Sequence, residues 1–180
     1  MSYGVLIPNA IAAQNVDAWV RSAVCASAVE NGNIVILTGK STTAGEAEVW
    51  TAEVPATTTP GLTGAWMVYE PELVWTGSYR GLDPDVRNFR VAATEIFTVF
   101  KPQLGDIITL TADNFSGAKG LTNIYGNATN STGGLKLVWG DSATGSVFAI
   151  KWLATTYISI GTGAIASHHV VAYKMEVVQL

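Results

Sequence analysis

The chain has 180 residues, a length suited to one domain, and a formal net charge of −4. Charged residues make up 13%, about half the ~25% of typical soluble domains, and hydrophobic residues make up 48%. These values exclude intrinsic disorder, because apolar content is high and net charge is small. Apolar runs such as Ile34–Leu37 are far shorter than the ~20 residues of a membrane-spanning helix, so we expect no membrane partner.

The charge distribution and the single cysteine further restrict the partners and the compartment expected for this protein. The pI is near 5.0 and the ten Lys and Arg residues are scattered singly, which argues against a nucleic-acid partner. Residues 1–16 carry no charge and lack the basic start of a signal peptide, so we expect synthesis in a cytoplasm. Cys25 is the only cysteine and lies among Ser and Ala residues, which predicts a small buried side chain.

Residues 1–18 are predicted to form an extended N-terminal arm, followed by a single β-rich domain over residues 19–180. Pro8 opposes an early helix in the arm. The apolar side chains of the arm are Tyr3, Val5, Leu6, Ile7 and Ile11. An apolar arm that cannot fold alone is expected to dock, and two alternatives remain open: it covers its own sheet, or it adds a strand to a partner.

Strand patterns dominate the domain. Residues 35–38 follow the turn cluster Asn31-Gly32-Asn33, and residues 107–112 form a run rich in β-branched side chains. Further strand candidates lie at 46–54, 66–69, 73–76, 135–139, 146–153, 156–160 and 169–178. Short strands separated by Gly-rich turns predict an all-β fold, an antiparallel β-sandwich or barrel.

Two segments depart from this simple pattern. Residues 89–100 form a longer strand candidate whose alternation changes phase, which predicts a β-bulge near Thr94. Residues 117–134 are the most polar and glycine-rich stretch of the chain, and we expect a long exposed loop there.

The chemical motifs favour no catalytic, cofactor or metal site. Gly39-Lys40-Ser41 lacks the upstream glycine and the following helix of a phosphate-binding loop. Gly140-Asp141-Ser142 lacks the partner block that would supply a histidine base. His168 and His169 are neighbours in a strand candidate and are not expected to share a metal ion. The acidic pairs are interpreted as solvated carboxylates: Glu46 with Glu48, Glu70 with Glu72, and Asp83 with Asp85.

Six tryptophans form a possible platform for stacking against sugars, provided that they are exposed on one face. They are Trp19, Trp50, Trp66, Trp75, Trp139 and Trp152. Most of them lie in strand candidates beside Val and Leu residues, so we favour packing in a core or an interface.

Three blocks carry a resemblance to a known family. They are Asn31-Gly-Asn-Ile-Val-Ile-Leu-Thr-Gly39, Glu70-Pro-Glu-Leu-Val-Trp-Thr-Gly-Ser-Tyr-Arg-Gly-Leu-Asp-Pro-Asp85 running on to Arg87-Asn-Phe89, and Phe100-Lys-Pro-Gln-Leu-Gly-Asp-Ile-Ile-Thr-Leu-Thr111. Together they resemble the head decoration (cement) proteins of tailed bacteriophages, small structural proteins encoded beside capsid genes. The resemblance covers about residues 30–178.

The resemblance implies a virion structural protein without enzymatic activity or cofactors, located on the outer capsid surface. Its implied partners are the major capsid protein and further copies of itself, commonly as a homotrimer. Candidate residues for contact with the capsid or with another subunit are Tyr3, Val5, Leu6, Ile7, Ile11, Tyr79, Arg80, Leu82, Arg87 and Phe89. The main alternative is a virion or tail-associated module that binds host-surface carbohydrate, and a hydrolase using an acidic pair is a weaker one.

Overall fold

The structure is a computed structural model, and it describes residues 3–6, 20–42, 47–55, 64–71, 75–76, 81–82, 85–128, 135–161 and 167–180. The strands in these residues are β1 (Val20–Cys25), β2 (Ile34–Lys40), β3 (Trp50–Glu53), β4 (Ala65–Val68), β5 (Trp75–Thr76), β6 (Gly81–Leu82), β7 (Ile96–Phe100), β8 (Ile107–Thr111), β9 (Phe115–Ser116), β10 (Tyr125–Ala128), β11 (Leu137–Gly140), β12 (Phe148–Gly161) and β13 (Ser167–Gln179). Two single 3-10 turns, Val86–Asn88 and Ala112–Asn114, are the helical segments of this part of the chain. It contains no helix with the length and apolar character needed to cross a bilayer.

Two sheets form the fold, and this confirms the all-β prediction. The first has five strands in the order β1-β3-β2-β4-β7 and closes on itself because β1 also pairs with β7. The second has six strands in the order β8-β13-β12-β10-β11-β9. Both sheets are mixed, since β1 runs parallel to β3 and β9 runs parallel to β11. The short strands β5 and β6 pair with each other.

Strands β2 and β4 are buried on both faces and place the two sheets against each other. Ile34 and Met67 are opposite each other in the β2–β4 pair and belong to the core between the two sheets. Their chain neighbours Val35 and Trp66, also opposite each other, belong to the second core, which fills the interior of the closed sheet. Consecutive side chains of a strand project to opposite faces, so a continuous apolar run here supplies both cores.

Residues 89–100 are two segments, so the prediction of one bulged strand is wrong. Val91 makes an isolated antiparallel bridge with Val29, and β7 begins only at Ile96. Between them Thr94 has φ 67°, a left-handed conformation, and its amide donates to the carbonyl oxygen of Cys25 (2.9 Å). The change of alternation in the sequence therefore marks a turn. Cys25 itself is buried, as predicted.

The glycine-rich stretch 117–134 contains a strand, so the prediction of a loop fails for residues 125–128. Strand β10 lies between β12 and β11 in the middle of the second sheet. A Cβ atom at Gly126 would lie 2.7 Å from the Phe115 ring and 3.1 Å from Ile150. Glycine is required because these side chains pack directly on the backbone of β10. Residues 129–134 lie outside the described residues.

Leu6, near the start of the chain, is part of the core between the sheets. It forms an isolated antiparallel bridge with Leu110 of β8, and only 1% of its surface is exposed. The N-terminal segment 3–6 therefore covers its own sheet, which is one of the two alternatives left open by the sequence.

Replacing Leu6 with alanine is expected to lower the free energy of unfolding by about 2–5 kcal/mol, because it leaves a cavity between the two sheets. Urea denaturation measures this change. We expect the slope of unfolding free energy against urea concentration to be the same in the variant and the unchanged chain. Leu121→Ala is the control: Leu121 is 100% exposed, so its truncation is expected to change stability by less than about 0.5 kcal/mol. Equal effects of the two substitutions would contradict the placement of Leu6.

Candidate functional site

The predicted contact residues of the arm begin with Tyr3, which lies against the segment around Arg87. The Tyr3 amide donates to the carbonyl oxygen of Arg87 (2.9 Å), and the Arg90 guanidinium lies 5.3 Å from the centre of the Tyr3 ring. The structure thus brings Tyr3 and Arg87, two of the sequence-predicted contact residues, together within one chain.

Gly4 is held by a charged pair. Its amide donates to Oε2 of Glu30 (2.9 Å), and the same oxygen lies 3.3 Å from Nζ of Lys136. Nζ of Lys136 also donates to the carbonyl oxygen of Asp113 (2.9 Å). A charged acceptor for a backbone amide makes a strong hydrogen bond, so the segment is anchored at a defined position.

Val5 completes the attachment through a buried polar network. Its amide donates to Oγ1 of Thr111 (3.0 Å), and the Thr111 amide donates to the carbonyl oxygen of Val5 (3.2 Å). Oγ1 of Thr111 in turn donates to Oδ1 of Asn114 (3.1 Å), while Nδ2 of Asn114 donates to the carbonyl oxygen of Asn31 (2.6 Å). Thr111 and Asn114 are fully buried, so each of these bonds replaces one otherwise made to water.

The remaining predicted contact residues are divided between described and undescribed parts of the chain. Nη2 of Arg87 lies 2.6 Å from Oδ2 of Asp85, and this hydrogen bond raises the pKa of Arg87 above its usual value. Phe89 is buried in the core of the closed sheet, and the backbone of Leu82 pairs with Trp75 in the β5–β6 ladder. Ile7, Ile11, Tyr79 and Arg80 lie outside the described residues, so their assignments stay predictions.

Strands β12 and β13 extend beyond their neighbours in the second sheet. Strand β10 pairs with β12 only from Phe148 to Lys151, and β8 pairs with β13 only from Ala172 to Glu176. The β12–β13 ladder nevertheless continues to the pair Gly161 and Ser167. We name this two-stranded extension, residues 153–161 and 167–171, the projecting ribbon. At ~3.3 Å per residue its longer strand is about 30 Å long.

Most of the described side chains of the projecting ribbon, in residues 153–159 and 169–171, are apolar or small and polar. Tyr157 is 64% exposed and lies opposite Val171, on the face that continues from the core residue Met175. On the other face Ile158 lies opposite Val170, and both are half-buried. Leu153, at the irregularity where the ribbon begins, is 42% exposed. The ribbon therefore presents apolar surface on both of its faces.

Sequence reasoning missed the projecting ribbon, although a signal for it exists. Residues 152–173 contain no Asp, Glu, Lys or Arg, and this is the longest uncharged run in the chain. The apolar side chains of these residues predict strands, but their exposure follows only from where β8 and β10 end.

The tryptophans differ in their surroundings. Trp66 and Trp139 are buried, and Trp139 stacks on Phe115 with ring centres 4.2 Å apart. Trp50 is half-buried, with the Arg21 guanidinium 4.4 Å and Nζ of Lys40 4.5 Å from its ring centre. It lines a groove of about 550 Å³ together with Val20, Arg21, Ser22, Lys40, Glu48 and Thr98. Trp152 is half-buried beneath Lys119, and Trp19 and the side chain of Trp75 lie outside the described residues.

Of the three described acidic residues of the predicted pairs, Glu48 is exposed, and the side chains of Glu70 and Asp85 have structural partners. Oε2 of Glu70 accepts from the Thr98 amide (2.7 Å), and Asp85 is bonded to Arg87. Their pair members Glu72 and Asp83 lie outside the described residues, as does Glu46. Among the residues that the structure describes, no three His, Cys, Asp or Glu side chains are grouped so that they could hold a metal ion.

Comparison with known proteins finds no match to this chain among family models, curated proteins or solved structures.

Replacing Gly4 with alanine is expected to loosen the attachment of residues 3–6, because the new Cβ would collide with the side-chain amide of Asn114. The Thr111 amide, which donates to Val5, should then exchange with solvent hydrogen at least about tenfold faster than in the unchanged chain. Hydrogen exchange measured residue by residue checks this.

Gly39→Ala is the matched control, because no atom lies within 4 Å of a Cβ placed there. Unchanged protection of Thr111 in the Gly4 variant would show that the segment is not held as the structure describes.

Proposed function

We propose that this chain is a structural protein of a tailed-bacteriophage virion, which binds the outer surface of the head as an oligomer and stabilises it. The projecting ribbon carries the proposal. It is a surface about 30 Å long with exposed apolar side chains and no formal charge, and such surfaces are typical of contacts with other proteins.

Two of the three sequence blocks lie in described strands, and their resemblance supports the same function. Residues 31–39 form the turn before β2 and nearly all of that strand, and residues 100–111 lead from β7 through a turn into β8. These segments build the interface between the two sheets. The resemblance therefore concerns the scaffold, while the ribbon supplies the surface for assembly.

A lattice-binding function suits a chain with little charge. Each charged group in a protein contact must be desolvated, which costs free energy unless it is paired. An oligomer that binds several lattice positions at once also gains affinity through its high effective local concentration. Moderate contacts of each copy are then sufficient for stable binding.

The N-terminal segment would contribute to this function indirectly. Val5 and Leu6 are 4% and 1% exposed, so in this conformation they stabilise their own domain. Any capsid contacts of the arm would then be made by residues after Leu6, which include the predicted contact residues Ile7 and Ile11.

Purified chain is expected to co-sediment with heads of the encoding phage that were assembled without it. Binding should saturate at a fixed ratio to the major capsid protein and raise the temperature at which the heads disrupt, because bound oligomers link neighbouring subunits. Heads that already carry the chain are the control and should take up none. Chain that stays in the supernatant at tens of micromolar would contradict the proposal.

The groove at Trp50 favours a second candidate function, binding of host-surface carbohydrate. The half-buried Trp50 indole offers apolar surface for a sugar. Arg21 and Lys40, which outnumber the Glu48 carboxylate in the groove, offer positive charge for an acidic substituent. This candidate uses a different surface from the projecting ribbon, so both functions are compatible with one chain.

For this second candidate, Trp50→Ala is expected to abolish binding on a glycan array. Trp152→Ala serves as the matched control, since Trp152 is also half-buried beside a cation but lies outside the groove. Near-ultraviolet circular dichroism verifies that both variants are folded. If the unchanged chain binds no glycan, this candidate is eliminated.

A further inference from the structure

We propose that the projecting ribbon is the self-association element of this protein and that its occupant is the ribbon of a second copy. This inference rests on the proposed function, which has two kinds of partner: the capsid protein and further copies of this chain. It assigns the second kind of partner to the projecting ribbon. Three observations carry it: the unprotected edges of the ribbon, its lack of charge and its size.

The edges of the ribbon lack the features that usually prevent an edge strand from pairing with a strand of another molecule. Within the described residues no other strand pairs with β12 after Lys151 or with β13 before Ala172. Proteins usually protect such edges with Lys, Pro or a bulge. Residues 154–171 contain neither Lys nor Pro, and the irregularity in the ladder lies at the base of the ribbon, between Trp152 and Ala154. Such edges are suited to being covered by another strand.

The charge pattern favours an identical partner. In a symmetric contact, residues near the axis face their own copies, so any charged residue there would meet a like charge. Residues 152–173 contain no Asp, Glu, Lys or Arg, so the ribbon has no formal charge at pH 7, and Lys151 and Lys174 lie at its base. A surface for a different protein has no such requirement, since opposite charges can be placed on the two partners.

The size of the ribbon sets how much of a contact it can supply. Its nine residues of β12 and five residues of β13 present about 440 Å² on the two faces, at ~3.3 Å per residue and ~4.8 Å per strand. A standard interface buries roughly 800 Å² on each partner, so ribbon pairing supplies about half of it, at the weak end of the range for specific contacts. A two-stranded ribbon alone is also marginally stable in water, and pairing with a second ribbon would supply the additional strands.

The test introduces charge into the ribbon of the full-length chain. Tyr157→Lys places a positive charge on the exposed face, and Ser159→Lys changes a residue that is already polar and exposed, so its effect on folding should be small. Leu104→Lys is the matched control, because Leu104 is 65% exposed against 64% for Tyr157 but lies in the turn before β8.

Sedimentation equilibrium should show that the unchanged chain and Leu104→Lys are oligomers. Both ribbon variants should have dissociation constants at least about tenfold higher and should approach the 19.0 kDa of a single chain on dilution. Circular dichroism establishes that they remain folded. An unchanged chain that is monomeric at tens of micromolar, or ribbon variants that associate as tightly as Leu104→Lys, would overturn the inference.

The head-binding assay separates this inference from the proposed function. If the unchanged chain binds heads but is a monomer in solution, the inference is wrong and the proposed function stands. If the ribbon variants keep their oligomeric mass but lose head binding, the ribbon is a capsid contact and the inference is wrong. If the ribbon variants become monomers and the unchanged chain binds no heads, the inference stands and the head-binding function fails.

Discussion

The burial of β2 and β4 on both faces is the constraint on which the rest of the structure depends. One face of these strands fills the closed five-stranded sheet, and the other packs against the six-stranded sheet. A charged or large polar side chain at Ile34, Val35, Trp66 or Met67 would be buried without solvation on either face. The two sheets are therefore packed together through two strands that contribute side chains to both cores.

The N-terminal segment and the buried polar network are a consequence of that arrangement. Where the two sheets meet, backbone groups of the turn at Asn31 and of the segment after β8 need hydrogen-bond partners away from water. Asn114 connects these two segments, and Thr111 connects them to Val5. Residues 3–6 thus close the edge of the core, with Leu6 supplying its apolar contact.

The same packing explains why the projecting ribbon lies at the other end of the second sheet. The closed sheet and strands β8 and β10 cover only the first part of the β12–β13 ladder, and the ladder continues as the projecting ribbon. Its side chains keep the apolar character of the core residues beside them. A two-stranded extension of this kind is only marginally stable in water on its own.

The sequence by itself determined the all-β class, the turn at Asn31-Gly32-Asn33, the burial of Cys25 and the strand character of most segments, because alternation and turn residues act locally. Only the tertiary structure decided that residues 3–6 lie on their own sheet, that Gly126 belongs to a strand and that the ribbon projects. Those properties depend on pairings between distant residues, such as Leu6 with Leu110 and Ala172 with Thr111. The low charge of the chain is unevenly distributed, because its longest run without Asp, Glu, Lys or Arg coincides with the ribbon.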